Sequence, residues 1–247
     1  MKKSKVLTMT AILISGSMMI GSKVFAANSS IKIKENPEWT INFLKRQADQ
    51  NLDDVEAEIN KVNKDTSITK FNMASVKGIF EDVVFLGDSI TEYLKQGNIL
   101  DASSVLAMKG EHINQASKHL EEIKNLKPKQ IVILYGANDI NAYSPEKYKE
   151  EYIKLVKSIQ KVDPGVKIYL QAPLPVNESV ASKKDMRINN DNIKMFSDKV
   201  KEVAGETGAQ FLSSDGLITS NDLYEPDGIH LKYDFYKNWL FFLSENM

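Results

Sequence analysis

The sequence predicts an α/β protein built around a parallel β-sheet. From residue 82 onwards, short apolar runs alternate with stretches of helical periodicity. Runs that are apolar throughout are typical of strands buried on both faces of a sheet, with helices covering those faces. In such a sheet, ligands bind beyond the carboxyl ends of the strands. We therefore expect the functional site in the loops that follow the apolar runs.

The predicted elements follow one another regularly along the chain. The apolar runs are 83–86, 104–108, 131–135, 167–172 and 209–212. The helical stretches between and after them are 113–126, 145–162, 188–207 and 233–245. The connections between parallel strands should be right-handed. The loops expected at the carboxyl edge of the sheet are 88–89, 110, 136–139 and 173–175.

The first 26 residues have the layout of a secretory signal peptide. Lysines open the chain, an apolar run covers 6–20, and small residues close it at Ala26 and Ala27. The run is shorter than the roughly 20 apolar residues that a spanning helix needs. We expect cleavage after Ala26, with an uncleaved N-terminal anchor as the alternative, and no stable membrane insertion once the signal is removed. The absence of cysteine excludes a lipoprotein processing site, so we expect a bacterial protein that is secreted or exposed at the cell surface.

We divide the chain into a signal peptide at 1–26, a helical lead-in or stalk at 27–80, and a main domain at 81–247. The lead-in has helical periodicity but no residues that indicate chemistry. The composition, 42% hydrophobic and 26% charged, is ordinary for a globular protein. The net charge of −1 becomes −5 without the four lysines of residues 1–26. That balance does not favour nucleic acid or anionic lipid as a partner.

Short motifs occupy the predicted functional edge. The chain reads Gly-Asp-Ser at 87–89, Gly-Ala-Asn-Asp at 136–139, and Asp-Gly-Ile-His at 227–230, just ahead of the last helix. In these motifs, and over about residues 82–246, the sequence resembles the SGNH/GDSL hydrolase superfamily. The family's blocks carry Ser, Gly, Asn and His in that chain order. The matching residues here are Ser89, Gly110, Asn138 and His230.

The resemblance implies a three-layer α/β/α sandwich with a flavodoxin-like five-stranded parallel sheet, the SGNH hydrolase fold. It also implies a serine esterase of the GDSL type that works without a cofactor or metal. Ser89 would be the nucleophile, because a serine hydroxyl becomes reactive beside a base. His230 would be that base, since imidazole exchanges protons near neutral pH. Asp227 would hold the other ring nitrogen.

The same resemblance assigns an oxyanion hole and its supporting residues. The donors would be the backbone N–H groups of Ser89 and Gly110 and the side-chain amide of Asn138. Asp88, Gly136 and Asp139 would support these loops. The family often has an Asn and a further Gly around the second block, whereas residues 108–112 read Met-Lys-Gly-Glu-His. The second block therefore departs from the family pattern.

Taken singly, each of these residues also has a purely structural interpretation. Ser89 could cap the helix that begins near Ile90. Asn138 and Asp139 could be turn residues, and His230 could lie at the surface. Two further histidines, at 112 and 119, are interpreted as surface or supporting residues, with a substrate contact as the alternative for the first. The polar segment 174–187 is expected to line the pocket.

The predicted substrate is a short acyl ester. Export and the lack of a long apolar lid favour an O-acetyl ester on an extracellular or cell-surface glycan. Three alternatives remain. The first is a lysophospholipase or lipase-type esterase, and the second is a glycan O-acyltransferase that uses the same triad. The third is a glycan-binding or structural protein without activity. The sequence leaves the oligomeric state open.

Overall fold

The computed structural model describes residues 67, 68 and 70–247. The predicted signal peptide and most of the lead-in therefore lie outside the described residues. The end of the lead-in is described, and it forms a 3₁₀ helix at Met73–Ser75 and a short helix α1 at Val76–Ile79. Val76 and Phe80 are buried in the core of the main domain. Residues 71–80 thus pack with the domain that follows them.

A single parallel sheet of five strands organises the domain. The strands are β1 Val83–Gly87, β2 Val105–Ala107, β3 Gln130–Leu134, β4 Lys167–Gln171 and β5 Gln210–Leu212. Their spatial order is β2-β1-β3-β4-β5, and every neighbouring pair is parallel. This is the flavodoxin-like order. The predicted fold class and all five predicted strands are confirmed.

Six further helices connect and follow the strands. They are α2 Ser89–Gln96, α3 Leu120–Leu126, α4 Pro145–Val162, α5 Glu178–Ala181, α6 Asn190–Thr207 and α7 Tyr233–Asn246. The predicted helix at 113–126 is divided, because its first half is a 3₁₀ helix at Ile113–His119. None of the described helices combines the length and the apolar character that crossing a membrane requires.

Helices cover both faces of the sheet, as the apolar strands require. Because successive side chains of a strand point to opposite faces, β1 contributes to two separate cores. Val84 and Leu86 pack into the core under α3, α4 and α6. Val83 and Phe85 pack into the core under α1, α2 and α7. The domain is therefore the three-layer α/β/α sandwich that the resemblance implied.

The C-terminal helix α7 is the most aromatic element of the second core. Its Trp239 is fully buried and donates its indole N–H to Gln171 Oε1 of β4 at 3.1 Å. Phe235 stacks on Trp239 with ring centroids 5.9 Å apart. Tyr236 donates its hydroxyl to the carbonyl of Ile90 in α2 at 2.9 Å. These contacts fix α7 against both the sheet and the helix that follows β1.

We predict that Gly87→Ala destabilises the domain by about 1–3 kcal/mol, the usual cost of overpacking a core. A Cβ atom at this position would overlap the side chain of Thr91 and lie 2.5 Å from the carbonyl oxygen of Leu134. The control is Gly205→Ala on α6, where a Cβ meets nothing within 4 Å. That change should raise stability by about 0.5–1 kcal/mol because glycine weakens a helix interior. Urea unfolding of both variants measures the difference, and equal stabilities would contradict the packing described here.

Candidate active site

β1 ends at Gly87, Asp88 follows it, and Ser89 is the first residue of α2. Asp88, rather than Ser89, is the N-cap of this helix. Its Oδ1 accepts the backbone N–H of Ile90 at 3.0 Å. Because a capping side chain satisfies an otherwise unpaired N–H of the first turn, the Ser89 hydroxyl is not needed for that purpose. It points instead toward the loop that precedes α7.

Ser89, His230 and Asp227 form one continuous chain of contacts. Ser89 Oγ lies 2.9 Å from His230 Nε2, and His230 Nδ1 lies 2.6 Å from Asp227 Oδ2. A carboxylate only accepts hydrogen bonds, so Nδ1 carries the proton and Nε2 is left to accept the serine hydroxyl. A serine placed in this way can act as a nucleophile with the imidazole as its base.

A single tight turn holds both Asp227 and His230. Asp227 Oδ1 accepts the backbone N–H groups of Ile229 and His230, both at 2.9 Å. Partial burial raises the pKa of Asp227, but these bonds and the hydrogen bond from the His230 ring outweigh it and hold the pKa below its usual range. Lys184 adds a positive charge 3.6 Å from Oδ2. The carboxylate therefore stays charged near neutral pH.

The turn is supported by the segment that follows β4. Gly228 has a φ of +72°, and a Cβ there would lie 2.9 Å from the carbonyl oxygen of Asn177. The N–H of Asn177 in turn donates to the carbonyl of Gly228 at 2.8 Å. The segment 174–187, which we expected to line the pocket, thus supports the acid–base turn from behind. The cavity beside Ser89 is lined instead by residues of α2, of α7 and of the loops that hold Lys109 and His230.

The two remaining predicted oxyanion donors lie at the same edge of the sheet. Gly110 follows β2 and has a φ of +76°, a conformation that favours glycine. The preceding N–H, of Lys109, donates to Glu92 Oε2 at 2.9 Å. Asn138 follows β3, and its amide nitrogen donates to the carbonyl of Glu111 at 3.2 Å and more weakly to Asp88 Oδ2 at 3.4 Å. The structure thus brings the predicted loops together.

The sequence model of the GDSL-like lipase/acylhydrolase family matches residues 85–237, more than half of the chain. The chain belongs to this family. The match runs from β1 to the middle of α7 and includes every residue assigned above. No curated protein matches the chain in sequence.

Solved structures show the same fold. A GDSL-like lipase from Bacteroides thetaiotaomicron superposes with a TM-score of 0.55 at 18% identity, covering 76% of this chain and 96% of that one. A lipase/acylhydrolase from Enterococcus faecalis gives a TM-score of 0.53 at 16% identity, covering 66% of this chain and 94% of that one. At these identities the likeness concerns the fold.

A group of buried acids lies around Asn138. Asp88, Glu111 and Asp139 are each at most 1% exposed. Asp139 Oδ1 accepts the N–H of Ile113 at 3.0 Å and the Nδ1–H of His112 at 3.3 Å. Burial raises the pKa of Asp139 above its ordinary value, although these bonds oppose the rise. The family resemblance marked Asp88 and Asp139 as supporting residues; Asp88 contacts the Asn138 amide at 3.4 Å, and Asp139 is the next residue along the chain.

Sequence reasoning missed Glu111 and did not specify what the nearby histidines contact. His112 lies against Asp139, and His119 lies 3.1 Å from the carboxylate of Glu111. The only signal in the sequence is that Glu111, a charged residue, directly follows Gly110 in a predicted catalytic loop.

Gly136, the other supporting residue, has a φ of +141° and would place a Cβ 2.7 Å from Pro173. Glycine is therefore required where β3 ends.

A cavity of about 250 Å³ opens beside Ser89 and His230. Most of its other lining residues are polar or aromatic: Glu92, Tyr93, Gln96, Lys109, Glu225 and Tyr236. A larger, open cavity of about 590 Å³ lies at the amino ends of the strands and includes none of the predicted site residues. Because the reactive side chains converge on the smaller cavity, we assign it as the site. Among the described residues, no group of three or more His, Cys, Asp or Glu side chains is placed to hold a metal ion.

We predict that Asp88→Asn makes stability less dependent on pH. Burial raises the pKa of Asp88 to about 7. The hydrogen bond from Ile90 opposes this rise, whereas the negative charges of Asp139 and Glu111 add to it. Between about pH 4 and pH 7 the folded chain therefore holds a proton that the unfolded chain has lost, so stability falls as pH rises through this window. The asparagine variant lacks this loss.

Thermal unfolding at pH 5 and pH 7 measures the effect. The wild type should lose more stability between the two values than the Asp88→Asn variant. Asp191→Asn, an exposed change on the first turn of α6, is the control and should keep the wild-type difference. The same pH dependence in wild type and Asp88→Asn would show that Asp88 does not hold its proton in the fold.

Proposed function

We propose that this protein is a secreted serine esterase that removes short acyl groups, principally O-acetyl groups, from hydroxyls of extracellular or cell-surface glycans. The observation that carries the proposal is the continuous contact from Ser89 through His230 to Asp227, at 2.9 and 2.6 Å, beside an open cavity. Membership of the acylhydrolase family supports ester hydrolysis. The signal-peptide pattern of residues 1–26 supports a location outside the cytoplasm.

In the first half of the reaction, Ser89 Oγ attacks the ester carbonyl carbon and its proton passes to His230 Nε2. Asp227 stabilises the imidazolium that forms. The negative carbonyl oxygen accepts hydrogen bonds from the N–H groups of Ser89 and Gly110 and from the Asn138 N–H that otherwise makes the weak 3.4 Å contact with Asp88. The C–O bond to the alcohol then breaks, and the alcohol leaves with the proton from His230. An acyl ester on Ser89 remains.

In the second half, water attacks the acyl ester and gives a proton to His230. The tetrahedral intermediate forms again, with its oxygen in the same hole. It collapses when the bond between the acyl carbon and Ser89 Oγ breaks, and Oγ recovers the proton from His230. The acid is released. The cycle consumes one ester and one water and returns the side chains to their starting state.

The character of the cavity supports a small acyl group and a polar alcohol. Its volume of about 250 Å³ is below the roughly 300–1,000 Å³ of pockets that take drug-sized ligands. Glu92, Lys109 and Glu225 line it. A long alkyl chain laid against these groups would displace their water without replacing its hydrogen bonds, which is costly. Hydroxyl-rich sugars keep such groups hydrogen-bonded.

We predict that the protein from residue 27 onwards hydrolyses p-nitrophenyl acetate, and that Ser89→Ala lowers kcat by at least about a thousandfold. Ser103→Ala, an exposed serine before β2, is the control and should retain wild-type activity. The value of kcat/KM should fall as the acyl chain is lengthened from two to eight carbons. Activity that survives in Ser89→Ala would contradict the assigned nucleophile, and activity that rises with chain length would favour a lipid substrate.

A second measurement identifies the acceptor of the acyl group. Incubation with an O-acetylated polysaccharide should release free acetate, measured by chromatography, in the wild type and not in Ser89→Ala. Transfer of the acetyl group to an added sugar, with little free acetate, would instead favour an acyltransferase with the same side chains. A wild-type protein that shows no Ser89-dependent activity in any of these assays would favour a glycan-binding protein.

A further inference from the structure

Glu111 is a fully buried glutamate in the loop that carries Gly110. Its carboxylate lies 2.8 Å from the Tyr135 hydroxyl, 3.1 Å from His119 Nε2 and 2.9 Å from Lys118 Nζ. Burying a carboxylate is costly unless donors and positive charges surround it. Burial raises the pKa of Glu111, but the hydrogen bonds from His119, Lys118 and Tyr135 hold the pKa below its ordinary value. The carboxylate is therefore retained as an anion inside the domain.

The main chain of the same residue contacts Asn138, one of the predicted oxyanion donors. The carbonyl of Glu111 accepts the side-chain amide of Asn138 at 3.2 Å. The N–H of Glu111 donates to the carbonyl of Met108 at 3.1 Å and closes the turn around Gly110. Glu111 thus contacts Asn138 and closes the turn of Gly110 through its peptide groups. Its carboxylate contacts a different set of residues, Tyr135, Lys118 and His119.

The partners of the carboxylate belong to rigid parts of the fold. Tyr135 directly follows β3, is fully buried, and accepts the hydroxyl of Tyr148 on its own carbonyl at 2.9 Å. Lys118 and His119 end the 3₁₀ helix that leads into α3. An ionic anchor of this kind fixes a loop with several charge-assisted hydrogen bonds at once, which are stronger than neutral ones.

We propose that Glu111 is a positioning residue, whose ionic anchor to Tyr135, Lys118 and His119 fixes the backbone carbonyl that holds the Asn138 amide where it meets the oxyanion. This rests on the proposed serine mechanism. Oxyanion donors stabilise the transition state more than the bound ester. Weakening the anchor should therefore lower kcat and leave KM nearly unchanged.

The test is Glu111→Gln, which keeps the size of the side chain and removes its charge. On p-nitrophenyl acetate we expect kcat to fall about tenfold, a fraction of the hundred- to thousandfold effect of deleting one oxyanion donor. KM should stay within about twofold, because ground-state binding is not altered. The control is Glu122→Gln, since Glu122 also contacts His119, at 3.4 Å, but is 60% exposed and lies outside the loop. It should leave both constants unchanged.

A double-mutant cycle with Asn138→Ala separates positioning from a general loss of stability. If Glu111 acts through Asn138, Glu111→Gln should slow the Asn138→Ala variant by less than about threefold, because interacting residues are non-additive. The same factor in both backgrounds, or an unchanged kcat, would overturn the proposal. If Glu111→Gln does not fold, Lys118→Met removes one partner from the surface and should show a smaller fall with the same non-additivity. Additivity there would equally overturn it.

The rate at which a fluorophosphonate probe labels Ser89 gives a readout that does not depend on the natural ester. In this reaction Ser89 Oγ bonds to phosphorus, its proton passes to His230, and the P–F bond breaks so that fluoride leaves. The phosphoryl oxygen occupies the oxyanion hole. Labelling that slows in Glu111→Gln but not in Glu122→Gln would support the positioning role of Glu111 even if no acetyl ester were hydrolysed. The absence of acetyl ester hydrolysis would contradict only the proposed substrate class. A wild type in which Ser89 does not react would overturn both proposals.

Discussion

The contact between Ser89 Oγ and His230 Nε2 joins residues 141 positions apart, and the arrangement of the site depends on holding them together. Ser89 is fixed by β1 and the start of α2. His230 is fixed by α7, which begins three residues later and buries Trp239 against β4. The hydroxyl of Tyr236 then ties α7 to α2 through Ile90. The packing of α7 against the sheet and against α2 thus helps to set the distance between Ser89 and His230.

Three carboxyl groups near the site, Asp227, Glu111 and Asp88, differ in charge because their surroundings differ. Asp227 receives backbone N–H groups and the imidazole, so it stays charged and orients His230. Glu111 is fully buried but has a lysine, a histidine and a tyrosine as donors. Asp88 has fewer donors and neighbouring negative charges, and its pKa rises to about 7. Burial alone therefore does not decide whether a carboxyl group is charged. The number and kind of hydrogen-bond donors around it also decide this.

The sequence was sufficient for the elements whose signal is local. Continuous apolar runs identify all five strands. The resemblance of the Asp-Gly-Ile-His segment to the last SGNH/GDSL block singles out Asp227 and His230, which lie in contact. The contacts that were missed join distant residues. Nothing in the sequence around Glu111 specifies that Tyr135 donates to it, because that pairing depends on how β2 and β3 lie across β1. The cap at Asp88 was equally hidden, since serine and aspartate are both favoured there.

The two halves of the site are supported by different parts of the chain, which bears on how substrate preference can change. The acid–base turn is held by α5 and the segment around it, with Asn177 against Gly228. One wall of the cavity is made by α2 and the loop after β2, where Glu92 accepts the N–H of Lys109. Substitutions on that wall alter the space offered to the ester without moving the turn. Glu92 lines the cavity and also holds the residue before Gly110, so a substitution there would change both the cavity wall and the loop of a predicted oxyanion donor.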